Sequence, residues 1–217
     1  MAAEITEIES LEFAYPVENV GTSPNGFSLA YDPDSTLQRK LFALRIHTDE
    51  GITGEYVGGN SPAAAQLNMF GDYLVGRDPL KREKHWSELK RALRKYDRMG
   101  IGPIDIALWD FAGKYYGAPI HELIGTYRER LPTYASTFQG DLRGGLDSPA
   151  AFADFAEHCR DLGYPGFKLH PWGGDWRDLD RLIETVHAVG ERVGGEMDLM
   201  MDPACELETF GEAVKLG

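Results

Sequence analysis

The sequence predicts an α+β segment followed by repeating βα units, and three observations support this fold class. Strand-like segments come first and are followed by amphipathic helices up to residue 130. From residue 131 the order becomes β-α-β-α-β-α at a spacing of roughly 30 residues, which is typical of parallel strands joined by helical crossovers. Hydrophobic residues make up 42% of the chain and charged residues 26%, as in globular proteins. We therefore expect two domains, at 1–130 and 131–217.

The first domain begins with sequence that favours a small antiparallel sheet of three strands. The segment EITEIESLEFAY partly alternates polar and apolar residues, which is typical of a strand. The segments KLFALRIHT and GITGEYVGG flank Asp49-Glu50-Gly51, a combination that indicates a hairpin. Residues 16–35 lie between the first and second strands and are rich in Gly, Pro, Asn and Asp. This composition predicts a long loop.

Three helices are expected next, each with a proline near its beginning. The pairs Ser61-Pro62, Asp78-Pro79 and Gly102-Pro103 mark these beginnings, with Ser61 as an N-cap. Gly76 ends the first helix and Gly117 ends the third. Apolar residues at helical spacing predict the buried stripe of the second helix: Trp86, Leu89, Leu93 and Tyr96. In the third helix they share one face: Ile104, Leu108, Phe111 and Tyr115.

The second domain contains three candidate strands, LPTYASTFQ, GFKLHPW and MDLMMDPA, separated and followed by helical segments. Parallel βα units of this kind form either an open doubly wound sheet or a closed barrel. No GxGxxG follows any of the strands, so the dinucleotide-binding version of the open sheet has no support.

Polar side chains mark the ends of the second and third of these strands. Lys168 and His170 are two residues apart and therefore share one face of their strand. Asp202 ends the next strand, and Pro171 and Pro203 stop the two strands directly after these residues. Because catalytic groups of barrels lie at the carboxyl ends of strands, we expect Lys168, His170 and Asp202 to converge on one rim.

The stretch IGPIDIALWDFAGKYYGAPIHELIGTYRERLPTYAS, residues 101–136, closely resembles the enolase superfamily. More narrowly, it resembles the mandelate racemase and muconate-lactonizing branch, where it forms the last helix of the capping domain and leads into barrel strand one. FKLH and LMMDPA stand where this family has its strand-two lysine motif and its first metal-ligand aspartate. The resemblance implies an α+β capping domain followed by an incomplete (β/α)8 TIM-type barrel of about three βα units.

The resemblance also implies a chemistry, which is abstraction of the proton α to a carboxylate with Mg²⁺ holding the enediolate. By position, Asp202 is the first metal ligand and Lys168 is the first lysine of the family's KxK motif. His170 replaces the second lysine, which usually acts as the base, and imidazole can accept a proton at neutral pH. A neighbouring cation and the metal are expected to depress the pKa of the lysine base, and Trp172 is expected to line the pocket wall.

The expected reaction is dehydration of an acid sugar or a similar hydroxy acid, with a small carboxylate as substrate. Racemisation or epimerisation and cycloisomerisation are alternatives within the same branch. The resemblance implies that the remaining Mg²⁺ ligands and the opposite-face acid/base come from later barrel strands outside this chain. The 217 residues alone are therefore expected to be an inactive fragment or an assembly half, and the full-length form a homo-oligomer. Two lids are implied, at residues 17–35 and 55–62.

Composition excludes some partners. The formal net charge of −13 argues against nucleic acid, which requires clustered Lys and Arg. No apolar run approaches the roughly 20 residues of a membrane span, and the acidic first residues lack a signal-peptide h-region. The two cysteines have no CxxC spacing, so we expect a reduced, cytoplasmic protein.

A purely structural interpretation of each of these residues stays open. Lys168 can cap a strand end in solvent, His170 can be a packed histidine, and Asp202 before proline can simply form a turn. The other histidines have no paired spacing and are read as structural. Asp110 and Lys114 are read as an i,i+4 ion pair that stabilises a helix.

Overall fold

The computed structural model describes residues 3–23, 26, 28–139, 141–171, 178–204 and 207–217. Their contacts divide the chain into two units. The first unit comprises residues 1–15 and 38–129, and the second comprises residues 16–37 and 130–217. The domain boundary at residue 130 stays a prediction. Within the described part of the chain, no helix is both long enough and apolar enough to cross a membrane.

The first sheet has three strands in the order β1-β2-β3. They are β1 (Ile5–Thr22), β2 (Leu29–Thr48) and β3 (Thr53–Gly58). Strands β2 and β3 pair antiparallel, from Phe42 opposite Gly58 to His47 opposite Thr53. The predicted hairpin around residues 49–51 is confirmed.

The predicted long loop at residues 16–35 is wrong over most of its length, because residues 16–22 belong to β1 and residues 29–35 to β2. Asn19 and Asp34 lie in the left-handed region, with φ of 58° and 67°, which Asn and Asp tolerate better than most residues. The Asp34 N–H donates to the Asn19 side-chain oxygen at 3.2 Å. Residues that favour turns therefore occupy irregular positions inside two paired strands.

Four helices follow in the first unit. They are α1 (Ser61–Leu74), α2 (Arg82–Ala92), α3 (Ile101–Tyr116) and the short α4 (Ile120–Leu123). The N-cap of α1 is Asn60, whose side chain accepts from the Ala63 N–H at 2.9 Å, so the cap lies one residue before the predicted Ser61. Gly117 ends α3 in the left-handed conformation, at φ 63°, as predicted.

Helices α1, α2 and α3 pack their apolar faces on the residues of β2 that face inward. The buried cluster includes Phe42, Leu44, Ile46, Leu67, Phe70, Leu89, Leu93, Ile104 and Leu108. The predicted stripes are wrong for Trp86, which is 42% exposed, and for Tyr96, which is 57% exposed. Tyr96 lies beyond the end of α2 at Ala92. The Trp86 ring faces outward, and the Lys90 ammonium lies over it, 4.5 Å from the ring centroid.

Helix α3 lies directly against β3. A Cβ atom on Gly54 would come 2.2 Å from the Ala107 carbonyl oxygen. Beside it, the Glu55 N–H donates to the Asp110 carboxylate at 2.8 Å, and Lys114 Nζ donates to the Thr53 carbonyl at 2.9 Å. Asp110 and Lys114 form the predicted ion pair, at 2.7 Å. Both side chains also bind backbone groups of β3.

The second unit contains a parallel sheet in the order β4-β5-β6, which confirms the predicted parallel βα units. Its elements are β4 (Ala135–Ser136), a 3₁₀ helix (Asp141–Gly144), α5 (Pro149–Asp161), β5 (Gly166–Leu169), α6 (Leu179–Val193), β6 (Asp198–Met201) and α7 (Phe210–Leu216). Closure of these strands into a barrel stays a prediction.

The apolar face of β5 is covered by α5 and α6. Phe167 and Leu169 are buried in a cluster with residues of both helices. Those helix residues are Phe152, Ala153, Ala156, Cys159, Val189 and Val193. Because side chains alternate along a strand, burial of Phe167 and Leu169 directs Lys168 to the opposite face, as predicted.

The N-cap of α5 gives a prediction for the stability of the second unit. The Ser148 hydroxyl accepts from the Ala151 N–H at 3.2 Å, so Ser148→Ala should lower the free energy of unfolding by about 1 kcal/mol. Urea unfolding measures the difference. Ser148→Asp keeps a capping oxygen and should lie within about 0.5 kcal/mol of the parent protein. Equal losses in both variants would contradict the capping role.

Candidate active site

The strand register places the candidate residues at one edge of the parallel sheet. Ser136 of β4 and Met200 of β6 both lie opposite Lys168 of β5. Just past the strands, the Asp202 N–H donates to the Leu169 carbonyl at 2.9 Å. Asp202 and His170 therefore follow β6 and β5 at neighbouring positions on the side of the sheet that carries Lys168.

The structure brings Lys168, His170 and Asp202 into direct contact. Lys168 Nζ lies 2.9 Å from Asp202 Oδ2, and His170 Nε2 lies 3.1 Å from the same oxygen. The other oxygen, Oδ1, accepts from the Ala204 N–H at 3.0 Å. The carboxylate thus joins the lysine and the histidine at the carboxyl end of two parallel strands.

Two hydroxyl residues at the end of β4, Ser136 and Thr137, contact this cluster, and the sequence pattern alone does not indicate them. Thr137 is buried, its N–H donates to the Lys168 carbonyl at 3.0 Å, and its hydroxyl accepts from the His170 N–H at 2.7 Å. Ser136 Oγ lies 3.4 Å from His170 Nδ1. The signal that would have found them is the parallel register, which pairs Ser136 with Lys168.

The contact between Lys168 and Asp202 shifts the pKa of both groups. The hydrogen bond from Lys168 is the largest cause that lowers the pKa of Asp202 to about 2, and the bond from the Ala204 N–H adds to it. The Asp202 hydrogen bond raises the pKa of Lys168 against the opposing effect of burial. The direction is upward because the nearest charge to the ammonium is a carboxylate, and the depression that the metal and a neighbouring cation would cause stays a prediction.

The lowered pKa of Asp202 predicts a pH dependence. A carboxyl group with a depressed folded-state pKa stabilises the fold above its unfolded pKa, near 3.8, and this stabilisation is lost as pH falls through about 2. The carboxyl ¹³C resonance of Asp202 should therefore titrate near 2. In Lys168→Met the midpoint should move up toward 3.8. A midpoint that is the same in both proteins would contradict the ion pair as the cause.

The side chains at this edge of the sheet limit which metal site they can form. Among the residues that the structure describes, no three His, Cys, Asp or Glu side chains lie close enough to hold a metal ion. Mg²⁺ is commonly held by one or two protein carboxylates together with waters and substrate oxygens. Asp202 therefore fits as one ligand, and the described residues do not make a metal site by themselves. Trp172 lies outside the described residues.

Comparisons with known proteins identify relatives of this chain. A family profile for the "Mandelate racemase / muconate lactonizing enzyme, N-terminal domain" matches residues 23–125. The chain is 35% identical over 189 residues to D-galactarolactone cycloisomerase of Agrobacterium fabrum, a match that covers 83% of this chain and 48% of that protein. The chain thus spans about half the length of this curated relative.

Solved structures extend the similarity to nearly the whole chain. D-glucarate dehydratase from Agrobacterium tumefaciens, complexed with magnesium, superposes with a TM-score of 0.82 at 28% identity, covering 98% of this chain and 57% of that one. Dipeptide epimerase from Enterococcus faecalis V583, complexed with Mg and a dipeptide, shares the fold, with a TM-score of 0.72 at 22% identity and the same coverages, 98% and 57%. The chain belongs to the enolase superfamily, in its mandelate racemase and muconate-lactonizing branch.

Proposed function

We propose that this chain carries the base-bearing part of a Mg²⁺-dependent enzyme that removes the proton α to the carboxylate of a small acid. The observation that carries the proposal is the contact of Lys168 Nζ and His170 Nε2 with the same Asp202 oxygen. Two groups able to accept a proton and one able to ligate a hard cation meet at the carboxyl ends of parallel strands, where barrel enzymes place their chemistry.

The chemistry needs both a base and a positive charge. A proton next to a carboxylate is very weakly acidic, and Mg²⁺, when bound, stabilises the negative charge that its removal creates. In this proposal Lys168 and His170 are the candidate bases, and His170 accepts a proton at Nδ1 while Nε2 carries the hydrogen that faces Asp202. Loss of the contact with Asp202 removes the main cause that raises the pKa of Lys168, which moves the amine toward the neutral form that accepts a proton.

For the reaction, we propose dehydration of an acid sugar. The similarity to D-glucarate dehydratase over 98% of the chain supports it. Cycloisomerisation is the second candidate, because the curated relative at 35% identity is a cycloisomerase. Racemisation or epimerisation needs the same first step. The proposal includes a closed (β/α)8 barrel in the full-length protein, further Mg²⁺ ligands from its later strands, a homo-oligomer and a cytoplasmic location.

Proton NMR in D₂O separates these reactions. The full-length protein with Mg²⁺ is incubated with a panel of acid sugars and their lactones. A dehydratase yields a keto-deoxy acid, a racemase or epimerase exchanges the α-proton for deuterium, and a cycloisomerase converts a lactone into an isomer. If no substrate of the panel shows exchange, dehydration or isomerisation, the proposed function is wrong.

The donor set also predicts how the 217-residue chain responds to magnesium. Because Asp202 is a single carboxylate ligand and the described residues supply no group of three, calorimetric titration of this chain with Mg²⁺ should give no tight binding. The full-length protein, titrated in parallel, is the positive control. Tight binding by the 217 residues alone would contradict the assignment of the other ligands to later strands.

A further inference from the structure

We propose that Ser136 is a positioning residue for His170, holding the Nδ1 edge of the imidazole so that Nε2 stays directed at Asp202. The inference deepens the proposed function and rests on it for its catalytic consequence. The contact itself does not depend on the proposed function. It joins Ser136, the last residue of β4, to His170, the residue that follows β5.

The imidazole has a polar partner at each nitrogen. Asp202 Oδ2 lies 3.1 Å from Nε2, and Ser136 Oγ lies 3.4 Å from Nδ1. A carboxylate only accepts hydrogen bonds, so in that contact Nε2 carries the hydrogen. In the neutral ring Nδ1 is then the acceptor, and a hydroxyl is the kind of group that it needs.

The backbone of this region is fixed independently of Ser136. The adjacent Thr137 accepts from the His170 N–H at 2.7 Å and donates to the Lys168 carbonyl at 3.0 Å. Removal of the Ser136 hydroxyl therefore leaves the strand register in place. What changes is the rotation of the imidazole about its own bonds, since one of its two polar contacts is lost.

The Ser136 hydroxyl has a competing acceptor, which makes the proposal testable. Its oxygen lies 3.1 Å from the Thr137 carbonyl and 3.4 Å from His170 Nδ1. A hydroxyl that bonded only to the carbonyl would leave the imidazole unaffected by Ser136→Ala. If the hydroxyl donates to Nδ1 instead, its removal in Ser136→Ala changes the environment of that nitrogen.

The experiment uses full-length protein with ¹⁵N-labelled histidine at a pH where imidazole is neutral. The His170 signals are assigned by their loss in His170→Gln. Ser136→Ala should shift the Nδ1 resonance toward that of a nitrogen without a hydrogen bond, and Ser136→Thr, which keeps the hydroxyl, should restore it. Ser87→Ala, at an exposed position in α2, is the matched control and should leave the resonance unchanged.

Kinetics on the substrate found by the panel provides the second readout. Ser136→Ala should lower kcat by roughly tenfold to a hundredfold with KM within about twofold, because misplaced groups slow the chemical step more than they weaken binding. An Nδ1 resonance that is unchanged in Ser136→Ala would overturn the proposal, and so would a shifted resonance with unchanged kcat. If the proposed function fails, no substrate turns over in any variant, whereas the NMR result still decides the contact.

Discussion

Lys168→Met in the full-length protein should lower kcat by roughly 10²- to 10⁴-fold, the range expected when a proton-transfer group is removed. Methionine keeps most of the length of the apolar stem and removes the amine that contacts Asp202 at 2.9 Å. The Lys168 side chain is only 24% exposed, so a substitute of similar size preserves the packing. Steady-state kcat and KM on the identified substrate are the measurement.

One further variant separates the role of Lys168 as a base from that of its charge, and a second variant is the control. Lys168→Arg keeps a positive charge beside Asp202 but does not lose its proton near neutral pH, so it should be nearly as inactive as Lys168→Met. Lys90→Met replaces a lysine of α2 whose ammonium packs over the Trp86 ring, and it should keep kcat within about twofold. If Lys168→Met retained more than about a tenth of kcat, Lys168 would not be the base.

Gly54→Ala should destabilise the first unit by about 3 kcal/mol, at the upper end of the cost of overpacking. The new Cβ would lie 2.2 Å from the Ala107 carbonyl oxygen and 2.9 Å from the Phe111 Cβ. The nearest atom belongs to the backbone of α3, so rotation of a side chain does not relieve the clash. The strand must move away from the helix, and the bond between the Glu55 N–H and Asp110 lengthens.

Thermal and urea unfolding followed by circular dichroism measure this loss. Gly71→Ala is the matched control, because Gly71 lies inside α1 and an added Cβ meets no atom within 4 Å. It should stabilise the protein by about 0.5–1 kcal/mol through helix propensity. A Gly54→Ala variant as stable as the parent protein would show that β3 and α3 separate without cost.

The sequence predicted the convergence of Lys168, His170 and Asp202 because the features that determine it are local. Alternation along a strand fixes which residues share a face, and a proline fixes where the strand ends. Ser136 and Thr137 were not predicted. The segment LPTYASTFQ was predicted as a strand, but which of its residues lie beside Lys168 and His170 depends on its register with a strand about 30 residues away, and that register is not a local pattern.

The errors in the predicted fold also arise where local composition or spacing does not decide the structure. Residues 16–35 have the composition of a loop, yet most of them lie in strands, because strand pairing uses backbone groups and because Asn19 and Asp34 adopt the left-handed region more readily than most residues. The apolar spacing of α2 correctly identified Leu89 and Leu93 as buried. It failed at Tyr96, because the helix ends four residues earlier.

The side chains of Asp110 and Lys114 hinder the pairing of β3 with a strand of a second molecule. An unpaired strand edge exposes N–H and C=O groups that can recruit a strand from another chain, which is a route to aggregation. On β3 the Glu55 N–H is bound by Asp110 and the Thr53 carbonyl by Lys114. A strand from a second copy would have to displace a charged pair before it paired there, so these two residues protect the sheet from edge-to-edge growth at this position.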